Sequence, residues 1–119
     1  MSKEEIKILL VDDEKQFVDT LAERLAMRGF SARVAYDGPQ ALKAVEEPTD
    51  VIVLDLRMPG MDGFEVLRSV KKSNPQVQVI ILTGHGGDAE EQTAYRMGAY
   101  NFLKKPMDID ELLNSIRMA

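Results

Sequence analysis

The sequence predicts a single α/β domain in which a parallel five-stranded sheet carries helices on both faces. Short apolar runs rich in valine and isoleucine alternate five times with longer amphipathic stretches, the pattern of repeated β-α units. The runs at 6–11, 50–54 and 77–82 are almost continuously apolar, which indicates strands buried on both faces. The more polar runs at 31–36 and 100–103 belong at the sheet edges, which gives the strand order 2-1-3-4-5.

The first two β-α units lie before residue 50. Strand 6–11 precedes an amphipathic helix that ends at Gly29, since glycine accepts the conformation found just beyond a helix C-terminus. Strand 31–36 leads into a second helix, which Pro48 ends because proline cannot continue a helix. The apolar positions at helical spacing are Phe17, Val18, Leu21, Ala22 and Leu25 in the first helix and Ala41, Leu42 and Val45 in the second.

The remaining three units follow without a linker or an internal repeat. Strand 50–54 precedes a helix stopped by Asn74-Pro75, strand 77–82 precedes a helix over 88–97, and strand 100–103 precedes the last helix. The apolar positions are Phe64, Leu67 and Val70, then Ala89, Ala94, Tyr95 and Met97, and finally Ile109, Leu112, Leu113 and Ile116. The fourth helix is the least apolar, so we expect it to be the most loosely held.

Composition and charge exclude several classes of protein. A chain of 119 residues suits one domain, and the absence of cysteine rules out disulfides and thiolate metal sites. A net charge of -5 argues against direct binding to nucleic acid. The start of the chain lacks the apolar stretch of a signal peptide, and no run approaches the roughly 18 residues that span a bilayer. We therefore expect a cytoplasmic protein with no direct contact to nucleic acid or membrane.

Four of the predicted strands end in side chains suited to phosphate or metal chemistry. Asp12 and Asp13 follow the first strand, Asp55 the third, Thr83 the fourth, and Lys104 and Lys105 the fifth. The carboxyl ends of parallel strands lie along one edge of the sheet, where open α/β folds bind ligands. We therefore expect these side chains to converge on one pocket.

The three aspartates are predicted to bind a divalent cation. Two carboxylates about 4 Å apart repel by about 4 kcal/mol at an effective dielectric constant of about 20, so a cation is favoured. Hard oxygen ligands beside a crevice suit Mg²⁺. The alternative for Asp12 and Asp13 is capping of the helix that begins near Glu14. Asp55 could instead cap its loop, but its partners favour a carboxylate nucleophile that forms an acyl phosphate.

Thr83 and Lys105 are interpreted as phosphate-binding residues. The alternative for Thr83 is a loop hydroxyl that closes the fourth strand. Lys105 is preferred over Lys104 because it directly precedes Pro106, whose peptide bond can be cis and direct the preceding side chain inward. Lys104 points away from the site by strand alternation. His85 is the only histidine, so an imidazole metal cluster is excluded.

Four segments together resemble the receiver domain of two-component response regulators, over essentially the whole chain. They are Val11-Asp12-Asp13, Leu54-Asp55-Leu56-Arg57-Met58-Pro59-Gly60-Met61-Asp62-Gly63, Leu82-Thr83-Gly84 and Phe102-Leu103-Lys104-Lys105-Pro106. The resemblance implies a flavodoxin-like fold and a phosphorylation switch rather than an enzyme. A sensor histidine kinase or histidine phosphotransfer protein would donate a phosphoryl group to Asp55, with Mg²⁺ required.

The resemblance also implies a role for each residue of the site. Asp13 and Asp55 would bind the metal directly, Asp12 largely through water, and Arg57 through its backbone carbonyl. Thr83 and Lys105 would hold the phosphoryl group, and Phe102 occupies the aromatic switch position. Arg57 and His85 occupy positions that tune the lifetime of the acyl phosphate. Phosphorylation would change the surface of the fourth helix, fifth strand and fifth helix, which controls an output domain or partner and can support a homodimer.

Two rival functions fit the sequence less well. A Mg²⁺-dependent aspartyl phosphatase of the dehalogenase type needs an acid two residues after its nucleophile, where this chain has Arg57. A flavodoxin-like cofactor binder needs a phosphate-binding loop after the first strand, but here that loop carries Asp12, Asp13 and Glu14. A receiver-like module that is never phosphorylated is disfavoured because the acidic set is complete. The sequence leaves open whether the output lies in an attached domain or in a separate protein.

Overall fold

The computed structural model of the chain describes residues 6–84 and 86–119, within which five strands alternate with five helices. The elements are β1 (Ile8–Val11), α1 (Lys15–Ala26), β2 (Ala32–Ala35), α2 (Gly38–Ala44), β3 (Val51–Leu54), α3 (Gly63–Ser73), β4 (Gln78–Thr83), α4 (Asp88–Arg96), β5 (Asn101–Lys104) and α5 (Ile109–Met118). None of these helices is both long and apolar enough to cross a bilayer. The expectation for His85 falls outside the described residues.

The strands form one parallel sheet in the order β2-β1-β3-β4-β5, which confirms the predicted order and the two polar edge strands. Val11 pairs with Leu54, and Leu54 pairs with Ile81, so β1 and β3 end at the same level. β4 continues two residues beyond Ile81, to Thr83, which pairs with Lys104. Thr83 and Lys104 are therefore the last residues of their strands, one residue later than the predicted ends.

Alternate strand residues face two hydrophobic clusters, one on each side of the sheet. Leu9 and Ile52 belong to the cluster that includes residues of α2, α3 and α4. Leu10 and Val53 belong to the other, which includes residues of α1 and α5. Helices on both faces are thereby confirmed. Helix α4 buries one described residue, Ala94, whereas α3 buries four. Loose attachment of α4 remains a prediction. The single buried residue of this helix favours it, because an element with few buried apolar contacts opens more easily.

Helix α2 ends four residues before Pro48, at Ala44. Proline has no N–H, so it cannot donate to the carbonyl four residues earlier, which here is that of Ala44. That carbonyl instead accepts hydrogen bonds from the Arg33 guanidinium at 2.7 Å and from the Glu47 N–H at 3.2 Å. The predicted effect of Pro48 is therefore correct, but it ends the helix one turn upstream.

The start of α3 is packed tightly against the end of β3. Asp62 caps the helix by accepting a hydrogen bond from the Glu65 N–H at 3.0 Å. The Gly63 N–H donates to the Leu56 carbonyl at 2.8 Å. A β-carbon at position 63 would collide with the carbonyl of Asp55 and lie 2.6 Å from the α-carbon of Leu56. Glycine is therefore required here, and the close contact defines the path of the loop that follows Asp55.

Candidate functional site

Three carboxylates meet at the carboxyl ends of β1 and β3. Because Val11 and Leu54 are register partners, Asp12 and Asp55 follow on neighbouring strands. Asp12, Asp13 and Asp55 each place one carboxylate oxygen within 4.8 Å of an oxygen of the other two. Asp12 and Asp55 are buried, each with 3% of its surface exposed, while Asp13 is not buried. The switch point of the sheet thus holds a compact acidic cluster, at the crevice where such folds bind ligands.

Asp12 is the carboxylate with the most partners in this cluster. Its Oδ1 accepts a hydrogen bond from the Glu14 N–H at 3.0 Å, and its Oδ2 accepts one from Lys105 Nζ at 2.7 Å. Burial raises the pKa of Asp12 above its ordinary value, because it disfavours the charged form. The hydrogen bond from Lys105 opposes this effect without cancelling it.

The helix-capping alternative for Asp12 and Asp13 has little support in this geometry. Helix α1 begins at Lys15 and its N-cap is Glu14, with no hydrogen bond from a capping side chain. The bond between Asp12 and the Glu14 N–H lies just outside the helix and involves one oxygen. The other oxygen of Asp12 accepts its hydrogen bond from Lys105, not from a helix N–H. Neither Asp12 nor Asp13 therefore caps α1.

Lys105 lies within the acidic cluster. Its Nζ is 2.7 Å from Asp12, 3.2 Å from Glu14 and 3.9 Å from Asp55, and 13% of its side chain is exposed. The peptide bond between Lys105 and Pro106 is cis. Lys104, in contrast, is exposed. The structure therefore brings Lys105, and not its neighbour, to Asp12 and Asp55.

The charge state of Lys105 reflects two opposed effects. Burial lowers the pKa of its ammonium, but the hydrogen bond to Asp12 and the charges of Asp12 and Asp55 outweigh it. The pKa of Lys105 is consequently raised above its ordinary value. Lys105 thus provides a permanent positive charge at neutral pH, suited to anionic oxygens.

Thr83 and Phe102 lie side by side under the loop between β4 and α4. Both are buried, with 1% and 7% of their surfaces exposed. A β-carbon placed on Gly86 would lie 3.1 Å from Cζ of Phe102 and 3.7 Å from Cγ2 of Thr83. In this conformation, the ring of Phe102 already occupies the space beneath the loop.

Arg57 lies in the loop after β3 and is exposed. Its charge acts toward α4, where the pKa of Glu90 is lowered. The largest cause of that lowering is the hydrogen bond from the Gly87 N–H to Glu90, and the charge of Arg57 adds to it. The charge of Arg57 is thus the smallest of the effects on Glu90, and it indicates only that the side chain of Arg57 lies on the side of the site nearest α4.

Two residues of α1 and its N-cap contact the site although the sequence did not indicate them. Glu14 lies 3.2 Å from Lys105, and the ring centroid of Phe17 lies 4.2 Å from the Lys105 ammonium. Phe17 fits the apolar spacing of α1, which conceals a second role. The sequence feature that could have indicated this contact is the position of Phe17 on the first turn of α1, because that helix begins at the ligand-binding edge of the sheet.

The residues present fit a divalent cation. Oδ1 of Asp55 is buried without a hydrogen-bond partner among the described residues, and a buried anionic oxygen in that state is costly. The ammonium of Lys105 lies within 3.9 Å of three carboxylates, those of Asp12, Glu14 and Asp55, and Asp13 adds a further negative charge to the cluster. The donors are all hard oxygens, the type that Mg²⁺ and Ca²⁺ prefer. The acidic cluster can therefore hold such an ion.

Curated relatives of this chain are response regulators. The family model of the response regulator receiver domain matches residues 8–117. Transcriptional regulatory protein CpxR of Escherichia coli (strain K12) is 38% identical over 111 residues, which cover 93% of this chain and 47% of CpxR. The putative response regulator NtrX-like of Rickettsia bellii is 38% identical over 117 residues, or 96% of this chain and 24% of that protein. The chain thus spans less than half the length of these relatives.

Solved structures agree with this assignment. A CheY-like receiver domain protein from Methanospirillum hungatei JF-1 has a TM-score of 0.90 at 25% identity, covering 95% of this chain and 91% of that one. A response regulator from Burkholderia pseudomallei, solved with a phosphorylated aspartic acid, a calcium ion and citrate, has a TM-score of 0.88 at 28% identity, covering 94% and 66%. Sequence, fold and acidic cluster lead to one conclusion: the chain belongs to the receiver domain family of two-component response regulators.

Proposed function

We propose that this chain is a phosphorylation-activated switch whose phosphoacceptor is Asp55. The observation that carries the proposal is the state of that carboxylate: it is buried at the end of β3, and its Oδ1 has no hydrogen-bond partner among the described residues. An oxygen of this kind has its lone pairs available for bond formation. The donor we propose is a phosphohistidine of a sensor histidine kinase or of a histidine phosphotransfer protein.

We further propose that Asp12, Asp13 and Asp55 hold Mg²⁺, together with the backbone carbonyl of Arg57. The proximity of the three carboxylates and the unpartnered oxygen of Asp55 support this set. When bound, Mg²⁺ supplies positive charge that offsets the carboxylates and the oxygens of the phosphoryl group.

In the proposed transfer, a carboxylate oxygen of Asp55 attacks phosphorus in line with the bond to the donor's imidazole nitrogen. The new oxygen–phosphorus bond forms as the phosphorus–nitrogen bond breaks, and the imidazole leaves with the electron pair. Lys105 Nζ, now 3.9 Å from Asp55 Oδ2, would hydrogen-bond one phosphoryl oxygen. The hydroxyl of Thr83, at the end of β4, would hydrogen-bond another. The protein's contribution is positioning and charge.

The output in this proposal is a changed surface on α4, β5 and α5. Thr83 would move toward the phosphoryl group and take the neighbouring loop with it, and the packing of Phe102 against Gly86 would change in response. Helix α4 buries little apolar surface, so two arrangements of this region can be close in free energy. The changed surface would control an output domain or a partner, or support a homodimer. CpxR, a transcriptional regulator, extends well beyond the matching segment, which supports an output outside it.

Intact-mass spectrometry after incubation with acetyl phosphate and Mg²⁺ tests the proposal. We expect one phosphoryl adduct that hydroxylamine removes, as it does an acyl phosphate, and that a chelator prevents from forming. Asp55→Asn should form none, whereas Asp110→Asn, which alters an exposed carboxylate on α5, should behave as wild type. An adduct that persists in Asp55→Asn would contradict the assignment. Rapid turnover of phosphate esters would instead favour an aspartyl phosphatase, although Arg57 stands where such an enzyme needs its acid.

A further inference from the structure

We propose that Phe17 is a positioning residue for Lys105. Its ring attracts the lysine ammonium and keeps it beside Asp55, so the rate of phosphoryl transfer depends on an aromatic face at position 17. This inference rests on the proposed transfer to Asp55 and adds to it a residue of α1 whose side chain carries no charge.

The ammonium of Lys105 lies against the aromatic ring at close range. Nζ is 4.2 Å from the ring centroid of Phe17, inside the limit of about 6 Å at which a π face attracts a cation. The same nitrogen is 2.7 Å from Asp12 Oδ2 and 3.9 Å from Asp55 Oδ2. Because 13% of the lysine side chain is exposed, water screens little of the attraction. The ring is therefore one of the principal contacts of this cation.

Phe17 is itself held in place by the core. It packs against the cluster to which Val18 and Leu21 of the same helix belong. With Asp12 and Asp55, it also lines a void of about 10 Å³, close to the smallest space that a water molecule needs. The ring thus contacts the apolar core and also lies beside the carboxylates of Asp12 and Asp55.

Glu14 is less suited to this positioning role. Its Oε1 is 3.2 Å from Lys105 Nζ, but 65% of its side chain is exposed, so solvent weakens the ion pair. A carboxylate also occupies an N–H of the ammonium, which the phosphoryl oxygens need as a donor. An aromatic ring attracts the cation by its quadrupole and leaves those N–H groups available. Phe17 can therefore retain the lysine without competing for its hydrogen bonds.

Substitutions at position 17 separate an aromatic contact from simple packing. Phe17→Leu keeps an apolar side chain but removes the π face, whereas Phe17→Tyr retains it. With acetyl phosphate and saturating Mg²⁺, we expect Phe17→Leu to slow formation of the Asp55 adduct on the order of tenfold. Phe17→Tyr should restore the rate to within about twofold of wild type. Leu25→Val, which loosens the same helix about two turns beyond the ring and outside that void, should leave the rate unchanged.

Nuclear magnetic resonance reads the contact without any phosphoryl transfer. The ring current of Phe17 should shift the Hε resonances of Lys105 upfield in wild type and in Phe17→Tyr, and the shift should vanish in Phe17→Leu. Transfer at the wild-type rate by Phe17→Leu, or unchanged Lys105 resonances in that variant, overturns the positioning role and leaves the proposed function intact. If wild type forms no adduct at all, the proposed function fails, and the role of Phe17 in transfer fails with it.

Discussion

Replacing Asp55 by asparagine should stabilise the fold when no divalent cation is present. The substitution keeps the size of the side chain and removes one negative charge from the acidic cluster. It also introduces an amide that can donate hydrogen bonds to the remaining carboxylates. We expect the free energy of unfolding to rise by about 2 kcal/mol in the presence of a chelator.

The magnitude follows from the geometry of the cluster. Unit charges 4.8 Å apart, the upper limit between these carboxylates, repel by about 3.5 kcal/mol at an effective dielectric constant of about 20. The ammonium of Lys105, 3.9 Å from Asp55, attracts that carboxylate by about 4 kcal/mol at the same dielectric constant. This attraction offsets the repulsion between Asp55 and Asp12. Solvent reduces the repulsion from Asp13 to about 1 kcal/mol. The buried Oδ1 of Asp55, without a partner among the described residues, costs about another 1–3 kcal/mol.

Urea unfolding followed by circular dichroism measures this difference, since the chain contains no tryptophan. The gap between wild type and Asp55→Asn should narrow as Mg²⁺ is added, because a cation that binds the folded wild type stabilises it by mass action. Asp37→Asn is the matched control: Asp37 caps α2, and asparagine caps equally well, so this loss of charge should change stability little. If Asp55→Asn were no more stable than wild type in chelator, the reasoning about stored repulsion would be refuted.

Three further predictions concern stability. Gly63→Ala should lower the free energy of unfolding by about 3 kcal/mol, because a β-carbon there collides with backbone; an unchanged urea midpoint would contradict this. Because the pKa of Lys105 is raised, its stabilising effect is complete below the ordinary value of 10.5 and is lost as pH rises through the raised pKa. Thermal unfolding of wild type should therefore lose stability in that alkaline range more steeply than that of Lys105→Met. Asn101→Ala should cost about 2 kcal/mol, because its amide donates to Ser115 at 3.0 Å and its Oδ1 accepts from the Tyr95 hydroxyl and the Phe102 N–H. Adding Ser115→Ala should then cost little more, since its partner is already gone.

The sheet was predictable because its central strands carry an unusually direct signal. Val51–Leu54 and most of β4 are apolar without interruption, which is typical of strands covered on both faces. The ends of elements were less certain, because they depend on contacts distant in sequence. Helix α2, for example, ends where the Ala44 carbonyl is taken by Arg33, eleven residues upstream. The spacing of apolar residues, from which the helix was predicted, does not indicate that hydrogen bond.

The residues of the site were predictable for a similar reason, but their pairings were not. Each polar residue follows a strand, and parallel strands deliver their ends to one edge. Lys105 hydrogen-bonds Asp12 rather than Asp55. This preference depends on side-chain geometry, which the sequence does not show. The contact with Phe17 was hidden because an aromatic residue at helical spacing is already explained by core packing.

The pairing of Lys105 with Asp12 bears directly on the proposed chemistry. A lysine in close hydrogen-bond contact with the phosphoacceptor would stabilise its lone pairs and make it a weaker nucleophile. At 2.7 Å from Asp12 and 3.9 Å from Asp55, the ammonium is close enough to attract an incoming phosphoryl group but is not bonded to the attacking carboxylate. The same arrangement leaves Oδ1 of Asp55 without a partner among the described residues. The destabilising feature of the acidic cluster and the proposed reactivity of Asp55 therefore have one physical origin.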